Sequence, residues 1–459
     1  MTSRELLLEQ HLRRLGVATS RELQALAGVS QATLSRALAG LGDRAVVIGR
    51  GRATRYALAE PAFGDGHRIP LYRISAQGRA EYLAALRPLA GGRFYLQLPS
   101  APASSDLARD ESWLLGQDGT GVFDGLPYYL DDLRPQGFLG RQLAQRLGPP
   151  YPGDIRDWTT EHIGRYLCEY GSDLPGNLLL GERTCYRFEH PLAPEPIVTE
   201  AEFPELARRA IERGMPGSSA GGEQPKFTAF TERGHVIIKF ARANTEAGVR
   251  WRDLLIAENE ALAQVRALGL AVADTRVVHV DDWTFLEAQR FDRVGERGRL
   301  PMLSLSAVDA EYTGHGRDWM TVAGALRARG LISEQTAEQI TVLQTFGRLI
   351  WNDDMHLGNL SLRPSPIGSG PGFDLLPAYD MLPMRLSPLR TAIEFPGDTE
   401  RPRHTITLDR TETVDAALAY WDRMARHAEV SASFAELAAT ARDVLEEALS
   451  VSVTRFSII

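Results

Sequence analysis

Asp354 and Asn359 stand in WNDDMHLGNLSL (351–362) at D-x-x-x-x-N spacing, and Asp380 ends the apolar run of GFDLLPAYDMLPM (372–384). An Asp at the first position accepts the proton of an attacking hydroxyl. The Asn oxygen and the second Asp suit Mg2+, which takes few carboxylates and completes its octahedron with phosphate oxygens. That is the chemistry of phosphoryl transfer. It also needs a cation on the phosphates, and the chain has two unusual candidates. Of its 51 Lys and Arg, only Lys226 and Lys239 are lysine, both within SSAGGEQPKFTAFTERGHVIIKF (218–240). Lysine is a compact point charge on a slim stem, whereas guanidinium is a planar fork. A narrow site between phosphates and a carboxylate would retain lysine in a chain that otherwise uses arginine.

The elements needed to position these groups are legible in order. PGSSAGGEQPKFTAF (216–230) is a Gly/Ser-rich loop entering a strand at Phe227, and GHVIIKFAR (234–242) is β-branched and reads as a strand with Lys239 near its end. Flexible loop, strand, tight turn and lysine-bearing strand follow the order of a protein-kinase N-lobe, with VIIK resembling V-A-I-K, although the loop lacks G-x-G-x-x-G. The spacing in EAGVRWRDLLIAENEALAQVRALGL (246–270) predicts a long helix carrying Glu258 and Glu260, one of which would pair with Lys239. TFGRLIWNDDMHLGNLSL (345–362) ends a helical run and enters a short strand. Singly, a loop Asp or Asn is most often a turn former or a cap. The order of the whole set carries the reading.

The first sixty residues have a different character. Residues 1–58 hold nine Arg against Glu5, Glu9, Glu22 and Asp43, while the chain as a whole carries a net charge of −8. A basic module on an acidic body predicts two kinds of partner. SRELLLEQHLRRLG predicts a helix with Leu6, Leu7, Leu12 and Leu15 at helical spacing, ending at Gly16; TSRELQALAG predicts a second, ending at Gly28. A third is capped by Ser30, with Leu34, Leu38 and Leu41 facing inward. RAVVIGRGRATRYAL (44–58) predicts a hairpin turning at Gly49–Gly51. This is winged helix-turn-helix grammar. Arg36, Arg50, Arg52 and Arg55 would contact phosphates, and Gln31 and Thr33 base edges.

Between these regions, EPAFGDGHRIP (60–70) reads as a linker; LYRISAQG and RFYLQL read as strands, and RAEYLAALRPLAG (79–91) and GFLGRQLAQRLG (137–148) as helices. The aromatic-rich GVFDGLPYYLDDLRPQGFLGRQL reads as packing with no catalytic grouping. At 459 residues two or three domains are expected. Cys168 and Cys185 are too few for a disulfide framework, and no apolar run reaches membrane-spanning length, so a cytoplasmic protein without a membrane partner is expected.

With these segments in hand, residues 70–445 resemble the HipA-like serine/threonine kinase family of toxin–antitoxin systems. The resemblance rests on GLPYYLDDLRPQGFLGR, SSAGGEQPKF, VIIKF, AENEALAQVRALGL, QRFDR, WNDDMHLGNLSL and LPAYDMLP. It implies an α+β, two-lobed kinase-like fold preceded by a winged helix-turn-helix domain. The expected division is 1–60 (DNA-binding), 61–200 (mixed α/β subdomain), 201–293 (N-lobe-like) and 294–459 (helical C-lobe-like). ATP and Mg2+ would be the cofactors. Gly221, Gly222, Glu223, Gln224, Pro225 and Lys226 would form the phosphate loop, and Lys239, paired with Glu258 or Glu260, the phosphate clamp. Gln289, Arg290 and Phe291 would face adenine, mostly through backbone, although Gln289 stands where the family usually has an acidic residue. His356 and Tyr379 would neighbour the nucleotide, Asp354 would be the catalytic base, and Asn359 and Asp380 the metal ligands. Ser219 matches the loop serine whose autophosphorylation silences such kinases.

Family members usually work with a separate DNA-binding antitoxin. A module fused in cis resembles the YjjJ-type branch. The expected partners are therefore double-stranded DNA through residues 1–60, a protein substrate with an aminoacyl-tRNA synthetase as the candidate, and an antitoxin or a second copy of the chain. When DNA-bound, the protein would sit on the nucleoid. Two other readings stay open: a transcriptional regulator whose kinase fold only senses nucleotide, and a metal-dependent enzyme acting on nucleic-acid phosphodiesters.

Overall fold

Helix caps order the N-terminal unit of the computed structural model, whose described residues are 2–99, 111–213, 224–365, 372–388 and 411–456. Thr2 and Thr19 close capping boxes with Glu5 and Glu22, and Ser30 accepts from the Thr33 N–H. These side chains satisfy donors that a helix start leaves orphaned. They open α1 (Ser3–Leu15), α2 (Ser20–Ala27) and α3 (Gln31–Gly40). Strands β1 (Val17–Thr19), β2 (Ala45–Ile48) and β3 (Arg55–Leu58) pair in the order β1-β3-β2. The hairpin of 44–58 forms as expected; β1 was not foreseen. The inward face of α1 also differs from the expected one. Leu8 and Leu12, one turn apart, are buried, while Leu6 and Leu7 are largely exposed.

The next unit is an antiparallel sheet of β4 (Ile69–Ile74), β5 (Ala80–Leu89), β6 (Arg93–Gln97), β7 (Val122–Asp124) and β8 (Leu178–Leu180), ordered β7-β6-β5-β4-β8. The unit also holds α4 (Tyr128–Asp131), α5 (Gly137–Leu147), α6 (Thr160–Tyr170) and α7 (Glu182–Glu189), with α6 and α7 packed on β8. Here two expectations are corrected. RAEYLAALRPLAG is the central strand β5, not a helix: from Leu83 to Leu89 every residue is buried, with β4 on one side and β6 on the other. A run buried on both faces has no alternation to announce a strand, and pairing overrides the helical preference of its Ala and Leu.

Residues 60–70 are not a loose linker either. The Ala90 and Glu60 N–H groups donate to Leu58 and Pro88 carbonyls at 2.8 and 3.0 Å, and Ala59 bridges Leu89. Fully buried Arg87 reaches back to Asp43 and to the His67 carbonyl at 2.8 Å. Phe63, at φ 61°, donates its N–H to the Glu161 carboxylate at 3.1 Å and lays its ring over Gly164 of α6. A Cβ at Gly164 would come within 2.2 Å of that ring. Gly164→Ala should therefore destabilise the protein by about 1–3 kcal/mol, read as a lowered thermal midpoint.

The third unit follows α8 (Phe203–Arg213). Strands β9 (Lys226–Thr231), β10 (Gly234–Arg242), β11 (Thr275–Val280) and β12 (Trp283–Gln289) form an antiparallel sheet ordered β11-β12-β10-β9. One face packs Phe227, Phe240 and Phe285 against Phe203 of α8; the other packs Ala241 and Leu286 against Leu255 of α9 (Glu246–Ala267). A small hairpin, β13 (Arg293–Val294) and β14 (Gly298–Arg299), leads out of this lobe. The last lobe is mainly helical: α10 (Leu305–Tyr312), α11 (Trp319–Ala328), α12 (Glu334–Leu349), α13 (Thr411–Ala425) and α14 (Ala432–Phe456). Trp319, Phe346, Tyr420, Trp421 and Phe434 fill its core. Beside them β15 (Leu303–Ser304), β16 (Ser361–Pro364) and β17 (Phe373–Leu375) pair in sequence order. Among the described residues no helix is long and apolar enough to cross a membrane.

Candidate functional site

Strand register places Lys239 opposite Lys226 on one side and Leu286 on the other, with its ammonium under the sheet. There Nζ donates to both Glu258 carboxylate oxygens at 2.7 Å and also reaches Asp380 Oδ1. The two sequence candidates on α9 are thereby separated. Glu258 is buried against Lys239, whereas Glu260 pairs with Arg423 at 3.1 Å. Burial pulls the lysine's pKa below its ordinary value, and the Glu258 charge opposes that shift.

The segment carrying Asp354 leaves α12 through a strained turn. Trp351 and Asp380 both hold left-handed φ, 61° and 54°, which costs a non-glycine residue about 1–3 kcal/mol each. Packing offsets this at Trp351, whose ring lies 5.3 Å from that of Trp421. The Asn352 side chain then ties the two segments together: its Oδ1 accepts the Asp354 N–H at 3.1 Å and its Nδ2 donates to the Asp380 carbonyl at 3.4 Å. Asn359 Nδ2 donates to the Asp354 carbonyl at 2.8 Å, which leaves the amide oxygen available as a ligand. His356 Nε2 lies 4.0 Å from Asp354 Oδ1, and the His356 carbonyl accepts from Trp319 Nε1 at 2.9 Å. Tyr379 supports the loop from beneath, donating to the Gly358 carbonyl at 3.0 Å with its oxygen 2.8 Å from Ser361 Oγ; burial pushes its pKa up to about 12.

All of this opens into one cleft of about 1880 Å3, lined among others by Gln224, Lys226, Lys239, Asp354, Asn359 and Asp380. Among the described residues there is no group of three or more His, Cys, Asp or Glu able to hold a metal. Mg2+ does not require one, since it takes few protein oxygens when phosphates supply others, and Asn359 and Asp380 would fit that donor set. Gln224 donates to the Phe240 carbonyl at 3.0 Å, and the Pro225 carbonyl accepts the Phe240 N–H at 3.2 Å, so the described end of the expected phosphate loop is fixed to β10. Gly221, Gly222, Glu223 and Ser219 lie outside the described residues.

At the hinge the structure narrows the expectation. The Gln289 and Arg290 N–H groups are bonded to the Asp274 and His235 carbonyls, both at 2.9 Å, because the ladder continues to the strand end. Gln289 turns its side chain to the Arg233 carbonyl at 2.8 Å, and of the three hinge residues only Arg290 lines the cleft. Phe291 stacks at a tilt on Tyr379, ring centroids 5.8 Å apart.

Comparison with known proteins identifies the family and the fold. Residues 65–189 match the family model of the YjjJ-like toxin middle domain, and residues 218–451 that of the HipA-like C-terminal domain. The chain is 37% identical over 442 residues to the toxin YjjJ of Escherichia coli, covering 92% of this chain and 94% of the relative. The chain belongs to the HipA-like toxin family, in its YjjJ branch. A more distant member, the serine/threonine-protein kinase toxin HipA of Shewanella oneidensis, is 25% identical over 297 residues, 58% of this chain and 64% of that one. The fold also matches HipA of Shewanella oneidensis solved with HipB and operator DNA, at TM-score 0.57 and 17% identity, covering 83% of this chain and 96% of that one. The two lobes are thus a HipA-like, kinase-like fold.

In this HipA-like chain the cleft draws on more of the sequence than its motifs. The stretch read as packing, from Asp132 to Gly140, lines it, as do Asp173 and Asp309. Asp309 holds the exposed 313–316 turn through the His315 and Gly316 N–H groups at 3.0 and 2.7 Å. Only the polar residues of that stretch, Asp132, Arg134 and Gln136, hinted at a wall rather than a core. On the N-terminal unit, Arg36, Arg50, Arg52 and Arg55 are exposed. Gln31 is less available than expected, since its Oε1 accepts from Gln24 Nε2 at 2.8 Å and from Ser20 Oγ. Thr33 Oγ1 lies 3.1 Å from Ser30 Oγ at the cap of α3.

Proposed function

We propose that the chain is an ATP- and Mg2+-dependent protein serine/threonine kinase that inhibits growth. The supporting observation is Lys239 held between Glu258 and Asp380 at the mouth of the Asp354–Asn359 loop. In this reading Asp354 takes the proton of the acceptor serine hydroxyl as the serine oxygen bonds to the γ-phosphorus and ADP leaves. Lys239 holds the phosphates, and Glu258 keeps the lysine aimed. Bound through Asn359 and Asp380, Mg2+ would neutralise charge on the phosphate oxygens. The protein contributes position and fixed charge, with little covalent chemistry of its own. The test is incubation with γ-labelled ATP and cell lysate, followed by mapping of the labelled serine. Label on Ser219 and on a lysate protein, an aminoacyl-tRNA synthetase being the candidate, is expected. No transferred label sinks the proposal.

The element order of residues 3–58 and the exposed arginines of the β2–β3 hairpin support a second part of the reading: a winged helix-turn-helix that binds duplex DNA in the cytoplasm, on the nucleoid. The HipA relative is solved in a complex with HipB and operator DNA; here the fused unit would bring the chain to DNA. Replacing Arg52 and Arg55 together by Ala should weaken binding to every duplex and reduce the salt slope by about 2. An unchanged slope would remove the hairpin from the interface. The backbone continuity between β3 and β5 favours one alternative, a DNA-binding regulator in which the kinase-like lobes only sense nucleotide. Gel shifts with and without ATP, read beside the labelling result, separate the two.

A further inference from the structure

The hinge of the cleft is fastened to the middle unit by a compact set of charges. Arg290 Nη1 and Arg293 Nη2 both donate to Asp173 Oδ1, at 3.2 and 2.7 Å. Arg290 also holds Asp292 through Nε and Nη2 at 3.1 and 3.0 Å, and Arg293 reaches the Leu174 carbonyl at 2.7 Å. Asp292 Oδ2 in turn accepts the Gly176 N–H at 2.9 Å, and Arg299 reaches the Ser172 carbonyl. Both hinge guanidiniums are buried, with 8% and 3% of the side chain exposed, whereas the Asp173 side chain is 55% exposed. Asp173, Leu174, Pro175 and Arg290 line the same cleft as Lys239 and Asp354. Buried guanidiniums need their charges answered. Without Asp173, a single carboxylate, Asp292, would face Arg290, Arg293 and Arg299.

We propose that Asp173 is a positioning residue of the nucleotide cleft, so that the site is completed by the middle unit and not by the kinase-like lobes alone. The proposal rests on the nucleotide-binding reading above. Asp173 belongs to the stretch matching the middle-domain model, and the hinge to the stretch matching the C-terminal-domain model. Its carboxylate fixes Arg290, which lines the cleft, together with Arg293 at the start of β13. The contact is to the hinge and not to Lys239, Asp354, Asn359 or Asp380, so it should govern how tightly nucleotide is held and leave the transfer step alone.

The test compares wild type, Asp173→Asn and Asp173→Glu in the full chain, measuring the Kd for Mg·ATP by calorimetry, kcat at saturating ATP and the thermal midpoint. Asp173→Asn is expected to weaken Mg·ATP binding about tenfold, through loss of the charge that Arg290 and Arg293 share, with kcat within about twofold of wild type. Asp173→Glu, which keeps the charge, should recover most of the affinity. Unchanged affinity in Asp173→Asn overturns the proposal. So does a parallel fall in affinity, kcat and thermal midpoint that Glu does not rescue, which is the mark of a merely structural role. If Asp173→Asn does not fold, Arg293→Gln, which removes the other donor to Asp173, carries the same expectation and the same failure. A wild-type protein that binds no Mg·ATP overturns the nucleotide reading itself, a result distinct from tight wild-type binding with an indifferent Asn variant.

Discussion

Asp354→Asn should abolish phosphoryl transfer, lowering kcat by about 10²–10⁴-fold, while the protein stays folded and still binds Mg·ATP. The side chain is replaced by one of nearly the same shape in a place where the fold does not lean on it. Its carboxylate is about half exposed, and the bonds that set the loop use backbone atoms: the Asp354 N–H to Asn352 and the Asp354 carbonyl to Asn359. An amide in that position cannot accept the proton of the attacking hydroxyl. The measurement is label transfer to Ser219 and to lysate protein, with thermal unfolding and calorimetry alongside. Transfer retained at the wild-type rate would exclude Asp354 as the base.

Lys239→Arg, a substitution usually regarded as mild, should cost on the order of 10²–10³ in kcat. Lys239 is 7% exposed, with Glu258 and Asp380 both bonded to one nitrogen. A guanidinium keeps the charge but spreads it over a plane. It would have to push aside Asp380, a proposed metal ligand, or withdraw from Glu258. Arginine is a better probe here than alanine. Removing the cation altogether would leave Glu258 buried and unpaired, at a cost of about 3–5 kcal/mol that would confuse unfolding with inactivity. A folded Lys239→Arg protein with full activity would end the argument that two lysines survive in this chain because a fork does not fit.

The order of elements was readable because local chemistry enforces it. Caps at Thr2, Thr19 and Ser30, β-branched residues around Lys239 and the long apolar stripe of α9 each pick a conformation without help from distant residues. Where the sequence reading failed, tertiary contacts had decided. The stretch from Leu83 to Leu89 is a strand because neighbouring strands cover it, and residues 60–70 are fixed because Phe63 finds the bare backbone of Gly164. Gly164 is far from Phe63 in sequence; β4 and β6 are close to β5, but nothing within the run from Leu83 to Leu89 announces the pairing.

The same division runs through the candidate site. Residue types and spacing alone singled out Lys239, Asp354, Asn359 and Asp380, since phosphoryl transfer needs a point cation, a carboxylate base and two oxygen ligands, and few stretches of this chain offer them. The sequence could not choose Glu258 over Glu260, because both lie on one helix and only the crossing of α9 under β10 buries one of them. Nor could it show that the hinge ladder already uses the Gln289 and Arg290 N–H groups, or that Asp173 reaches the hinge from another unit. Composition and spacing determine which groups can do chemistry. Which of them meet depends on packing between segments from 19 to 141 residues apart, and no local pattern encodes that.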